Sequence, residues 1–212
     1  MRKNNKEFNI IINGVGGQGL ITLLKIIAEA ALLENYDIRT SELHGLSQRG
    51  GSVEVHIRFG QKVYSPLIPQ GKANLVLSLE SQEALNGLYY SSKDTIFLVN
   101  KYHTPTFLKD IPEKDYNPPT ASSHSHDGEW APILKTLKQF SRNIFLIPSS
   151  EICQKEFGTD VVAGIYFLGF AIYKKFLSLK QTSIISAIKK TIPEKYLDLN
   201  IKTFKLSKKY AK

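Results

Sequence analysis

FNIIINGVGGQGLITLLKIIAEAALLENYDIRTSEL, residues 8–43, decides how the rest of the chain is read. Phe8-Asn9-Ile10-Ile11-Ile12 is a short apolar run closed by glycine, the pattern of a buried parallel strand. Leu20 to Glu34 is rich in helix formers, with Asn35 as a stop, and Asp37 to Leu43 reads as a second strand. Together they predict a strand–helix–strand unit with a right-handed crossover. Between the first strand and the helix, Gly14, Gly16 and Gly19 keep the G-x-G-x-x-G spacing around Val15, Gly17 and Gln18. Glycines there let the chain turn sharply and let backbone N–H groups approach an anion at the helix N-terminus. They also serve close strand–helix packing with no ligand, so both readings stay open. A dinucleotide site further asks for an acidic residue ending the second strand, and Glu42 stands there.

The next stretch, ELHGLSQRGGSVEVHIRFG (42–60), follows that strand. The loop 44–51 is expected at the carboxyl edge of the sheet, beside the first glycine loop, where open α/β sheets bind ligands. There Arg49 supplies a fixed cation next to Gly50 and Gly51, and His44 and Gln48 add an imidazole and an amide. A Gly-Gly hairpin with a solvent-facing arginine is the competing reading. Beyond it Val53, Val55, Ile57 and Phe59 alternate with Glu54, His56 and Arg58, predicting a strand with one face buried and the other not. Gly60-Gln61 then turns into Lys62-Val63-Tyr64, which suggests a β-hairpin beside the main sheet.

Leu75–Leu79, Thr95–Val99 and Ile144–Ile147 are further buried strands, with helices expected at Gln82–Tyr90 and Glu129–Phe140, where Pro132 fits the first turn. A short helix ending at Gly158, a hydrophobic helix from Asp160 to about Leu179, an amphipathic one from Thr182 to Thr191 and a basic terminal helix complete the pattern. The fold class is α/β, Rossmann-like, with a mostly parallel sheet flanked by helices. One domain spanning 1–212, with its core at about 8–206, suits a chain of this length. The irregular stretch 101–128 is a long surface loop. It carries His124, His126 and Asp127, a metal-like spacing in a flexible polar context, and no metal site is expected.

Composition excludes several classes. A single cysteine, Cys153, rules out a disulfide framework and any four-cysteine zinc or iron–sulfur site. The opening MRKNNKEF is polar, FNIII is too short for a signal core, and the apolar run 161–173 falls short of a bilayer span, so a cytoplasmic protein with no membrane contact is expected. The net charge of +9 is concentrated in residues 181–212, where eight lysines face Glu194 and Asp198, a net of +6. Arginine and aromatic–basic interleaving are scarce there. A solvated lysine helix or a face for an acidic partner is therefore favoured over nucleic-acid binding. No G-x-S-x-G or other nucleophile–base arrangement is evident.

GVGGQG before a long helix, then SELHGLSQRGGSVEVHIRFG, then YSPLIPQG, resembles the γ-type subunit of 2-oxoacid:ferredoxin oxidoreductases. Within that family it looks like the small (β) subunit of indolepyruvate ferredoxin oxidoreductase, a free-standing γ-type domain. NLVLSLESQEAL, LVN and VVAGIYFLGF are similar to later features of the family, so the resemblance covers about residues 8–206. It implies that thiamine diphosphate and [4Fe-4S] clusters belong to a large partner subunit, that coenzyme A is a substrate of the complex, and that ferredoxin is reached indirectly. It also implies that Gly14, Gly16, Gly17, Gln18 and Gly19, with His44, Gln48, Arg49, Gly50 and Gly51, lie near coenzyme A, the thiamine cofactor or the partner's face. The overall reaction would be oxidative decarboxylation of an aryl-pyruvate, and the chain alone would be inactive. The segment from Tyr102 to Trp130 departs from the family's short connection. The alternative is a stand-alone NAD(P)-dependent Rossmann oxidoreductase, which the first loop and Glu42 fit but no further residue supports.

Overall fold

The computed structural model describes residues 7–45, 51–102 and 127–211. Its strands are β1 (Phe8–Val15), β2 (Asp37–His44), β3 (Ser52–Gly60), β4 (Leu75–Ser78), β5 (Ile96–Asn100) and β6 (Asn143–Ile147). They form one six-stranded sheet in the order β2-β3-β1-β4-β5-β6. β1, β4, β5 and β6 run parallel, while β3 is antiparallel to both β1 and β2. The helices are α1 (Leu20–Leu33), α2 (Asp127–Phe140), α3 (Ser149–Phe157), α4 (Ala163–Tyr173), α5 (Gln181–Thr191) and α6 (Glu194–Tyr210). A 3₁₀ helix, Gln82–Tyr90, follows β4.

The side chains of β1 sort the layers. Ile10 and Ile12 face a core shared with α1, α4, α5 and Phe204 of α6. Ile11 faces a smaller core under the 3₁₀ helix and α2, with Ala84, Phe97, Val99 and Leu137. Strands covered on both faces read as unbroken apolar runs, which is why β1 and β4 are legible as they stand.

Four expectations need correction. The hairpin does follow β2, but its arms are β2 and β3 themselves, paired from Asp37↔Gly60 to His44↔Val53; residues 62–64 form no strand. Val63 is instead fixed by donating its N–H to Asp37 Oδ2 at 2.9 Å. β3 thereby enters the sheet between β2 and β1 and splits the expected strand–helix–strand unit. The second correction concerns β3's polar face, which is covered too. Arg58 donates to Asn9 Oδ1 and to the carbonyls of Ser65 and Leu67, and it pairs with Glu7. His56 accepts the Ile68 N–H at Nδ1 (3.2 Å) and meets Glu54 Oε1 through Nε2 (2.9 Å). The segment 65–71 closes over this face because each polar group beneath it has a partner, the condition under which polar burial is tolerated.

The hydrophobic helix is also shorter than expected. α4 ends at Tyr173, where Lys175 takes a left-handed φ of 59° and Phe176 N–H closes back onto Ala171 O at 2.8 Å. Pro132 lies inside α2 rather than in its first turn, because the helix begins at Asp127. No helix among the described residues is long and apolar enough to cross a membrane.

Candidate functional site

The carboxyl ends of β1, β4, β5 and β6 lie along one edge of the sheet, and α1, α3 and α4 begin there. The order of the strands reverses between β1 and β4, the place where ligands enter open α/β sheets. The first glycine loop sits at this point. Gly17 (φ 104°) and Gly19 (φ 81°) adopt left-handed angles that side chains disfavour, and Gly19 caps α1 without a side-chain bond. Gln18 folds back into the loop, where its Oε1 accepts the Val15 N–H at 2.8 Å. Gly16 donates to Gly51 O at 3.0 Å, and Gly45 donates to Ser52 O at 3.1 Å. The two glycine segments therefore meet across the ends of β1 and β3.

The remaining sequence-derived residues divide. Gln48, Arg49 and Gly50 lie outside the described residues, as do His124 and His126. His44 is exposed at the end of β2, its Nε2 3.4 Å from Glu42 Oε2. Glu42 pairs with Val55 of β3, which in turn pairs with Ile12 of β1. Two strand spacings, roughly 10 Å, thus separate Glu42 from β1, so the geometry does not bring it to the glycine loop as a ribose-binding acid.

Three hollows run along the edge. A polar one of about 160 Å³ is lined by Gly17, Gln18, Asn100, Tyr102, Ser150 and Asp160. Its floor is a buried network: Asn100 Nδ2 donates to Leu79 O (3.1 Å) and Ser150 Oγ (2.8 Å), while its Oδ1 accepts from Ser149 Oγ (2.9 Å) and Ser150 N–H (3.3 Å). One carboxamide thus ties together the ends of β4, β5 and β6. Burial, reinforced by the Asp160 and Glu80 carboxylates, raises the Tyr102 phenol pKa and keeps it protonated. A second hollow of about 350 Å³ continues over Lys101, Glu151, Gln154 and Lys155. The third, about 510 Å³, lies against the start of α1, with Thr22, Leu23, Ile165, Pro193 and Leu199 in its wall and no charged residue among the described residues that line it. Gln18 and Gly164 belong to both the polar and the apolar hollow.

The N–H groups that open α1 have no intrahelical partners, and no acidic residue stands in its first turn. That donor set fits an anion or a row of amide carbonyls. Asp160 on the polar wall repels an anion, which directs such a group to the apolar side. Among the described residues no group of three or more His, Cys, Asp or Glu is placed to hold a metal ion. Cys153, the only cysteine, is buried, and burial pushes its thiol up to about 12. Sequence reasoning missed Asn100, Tyr102, Ser150 and Asp160. The available signal was polar residues directly after buried strands, in LVNKY and LIPSS.

The chain belongs to the pyruvate ferredoxin/flavodoxin oxidoreductase family, whose model matches residues 9–210. It is 32% identical over 207 residues to the indolepyruvate oxidoreductase subunit IorB of Thermococcus kodakarensis, covering 98% of this chain and 97% of that protein. It is 34% identical over 202 residues to the subunit of the same name from Archaeoglobus fulgidus, covering 94% and 93%. Among solved structures it is similar in fold to the γ subunit of a keto/oxoacid ferredoxin oxidoreductase from Geobacter sulfurreducens PCA (TM-score 0.66, 19% identity, 96% and 98% covered). It also matches part of 2-oxoglutarate:ferredoxin oxidoreductase from Magnetococcus marinus, solved with 2-oxoglutarate, coenzyme A and succinyl-CoA (TM-score 0.68, 17% identity). That match covers 98% of this chain and 31% of the other. Family membership bears out the resemblance read from the sequence and gives no support to the stand-alone nicotinamide enzyme.

Proposed function

We propose that residues 1–212 form a single γ-type domain. In this reading it is the small subunit of a cytoplasmic, thiamine-diphosphate-dependent 2-oxoacid:ferredoxin oxidoreductase acting on indolepyruvate or a related aryl-pyruvate. The observation that carries this reading is the match, over nearly the full length of both chains, to relatives named as indolepyruvate oxidoreductase subunits. The complex would convert 2-oxoacid, coenzyme A and two oxidised ferredoxins into acyl-CoA, CO₂, two reduced ferredoxins and a proton. Thiamine diphosphate supplies the carbanion chemistry of decarboxylation and the clusters carry the electrons, both on the large subunit.

This chain's part is to bind and enclose. The N–H groups at the start of α1 meet the anionic or amide-bearing portion of coenzyme A or the partner's face around it. The uncharged hollow beside them suits the less polar portion of such a ligand. Gln18 holds the loop in the shape that presents those donors. Arg49, two residues before Gly51 in the sequence, is assigned to the same site, where a desolvated bidentate contact would be stronger than a solvated one and lysine would not replace it. The test is Arg49→Lys in the reconstituted complex. A rise in KM for coenzyme A of about tenfold, or a matching loss of assembly, is expected from losing about 1.4 kcal/mol. Unchanged coenzyme A kinetics together with unchanged assembly removes Arg49 from the site.

A further inference from the structure

The two edges of the sheet are built differently. β2, the outer strand on one side, carries Asp37, Arg39, Thr40, Ser41, Glu42 and His44, with Asp37 and Arg39 paired at 2.6 Å. Charges of this kind are how proteins stop an edge from pairing with another chain. β6, the outer strand on the other side, is Asn143-Ile144-Phe145-Leu146-Ile147, with no charge and no proline. Its first four residues are half-buried rather than covered.

The hydrogen bonding fixes which groups are open. Lys101 N–H donates to Ile147 O at 2.9 Å, so Ile147 faces β5. Backbone groups alternate sides along a strand, so Phe145 and Asn143 also face β5 while the N–H and C=O of Ile144 and Leu146 point to the open side. Among the described residues, β6 pairs with no strand but β5. Alongside the strand runs a groove of about 530 Å³ walled by Phe145, Ile152, Tyr166, Phe170 and Tyr210. Tyr166 is fully buried, yet its hydroxyl has no hydrogen-bond partner. A buried polar atom left unsatisfied is uncommon, and Tyr166 is one of the residues behind the groove wall.

The rim is basic. Lys209 Nζ lies 5.6 Å from the Tyr210 ring centre, Lys208 caps the neighbouring Tyr173 ring at 5.9 Å, and exposed Arg142 precedes the strand. A second copy of a chain carrying +9 would bring the same cations together. An extended segment with apolar side chains flanked by carboxylates would complement the groove, its rim and the open backbone groups at once.

We propose that the open edge of β6 is a strand-addition site, occupied in the complex by an extended, acid-flanked apolar segment of the large subunit. This rests on the small-subunit reading above. The added strand takes up the four open backbone groups of Ile144 and Leu146 and lays apolar side chains against Phe145 and the exposed ring of Tyr210.

The test is amide hydrogen exchange on the chain alone and on the chain co-produced with its large thiamine- and iron–sulfur-bearing subunit. Exchange at Ile144 and Leu146 should slow at least tenfold in the complex, while the β2 edge is unchanged. Leu146→Pro removes one outward N–H and leaves the β5 ladder intact; it should weaken assembly at least tenfold. A complex that forms with unchanged exchange at 144 and 146 overturns the proposal and leaves the small-subunit reading standing. Failure of the wild-type chain to bind the large subunit overturns both. Protection of these amides in a dimer of the free chain assigns the edge to a second copy and overturns the proposal as well.

Discussion

Gly14→Ala in the first glycine loop is predicted to act chiefly through Gln18. A methyl group at Gly14 would lie 2.6 Å from Gln18 Oε1 and 3.2 Å from Leu20 Cδ1. The first contact is prohibitive, but it is made by the tip of a side chain that can leave. When it leaves, Val15 N–H loses the bond it makes at 2.8 Å. A net hydrogen bond is worth about 1 kcal/mol, and the milder contact with Leu20 adds a few tenths, so the cost is about 1.5 kcal/mol. In a chain of this size that lowers the melting temperature by roughly 3–6 °C. In a Gln18→Ala background the clash and the bond are both already gone, so Gly14→Ala should then cost less than about 0.5 kcal/mol. The assay is a double-mutant cycle by urea or thermal unfolding, with a coupling of about 1 kcal/mol expected. If Gly14→Ala costs the same with and without the Gln18 side chain, the assigned role of Gln18 as the loop's internal clasp is wrong.

Three further outcomes follow from buried groups. Asn100→Leu keeps the volume but leaves Leu79 O, Ser149 Oγ and Ser150 N–H without their partner, and it should cost about 3 kcal/mol by urea unfolding. Tyr90, pushed up to about 12 chiefly by burial and then by its hydrogen bond to Glu54, keeps its proton in the fold above its ordinary value of 10. Its contribution to stability is therefore complete below pH 10 and is lost as pH rises from 10 to 12, and Tyr90→Phe should flatten that part of the unfolding profile. Cys153, with its thiol pushed up to about 12 by burial, should react with a thiol reagent at pH 8 only at the rate of global unfolding, measured by following modification across a urea series.

The central strands were legible because burial on both faces leaves unbroken apolar runs, as in Ile10-Ile11-Ile12 and in Leu75-Val76-Leu77. The neighbours of β3 were not. Alternation reveals that Val53, Val55, Ile57 and Phe59 share a face, but it is silent on whether that strand lies beside β1 or at the margin. Nor does alternation show that His56 and Arg58 are buried, since part of what satisfies them is the backbone of residues 65–68, which carries the matching groups whatever its side chains. In the candidate site the glycine loop was legible because its chemistry is local. The Asn100 network was hidden because its members are brought together from positions about fifty residues apart, by strand order alone.

That strand order also decides what the glycine loop is for. In a dinucleotide fold the second strand lies next to the first, and the acid at its end reaches a ribose held by the loop. Here the place beside β1 belongs to β3, and Glu42 is one strand too far away. The loop's own donors agree with this. Gly16 N–H is engaged by Gly51 O and Val15 N–H by Gln18 Oε1, so the side towards β3 is closed by the protein itself. What remains open is the start of α1, facing the hollows on the β4 side and under α4. Inserting one antiparallel strand has turned a motif that would hold a dinucleotide into a surface whose free donors face away from the ribose position.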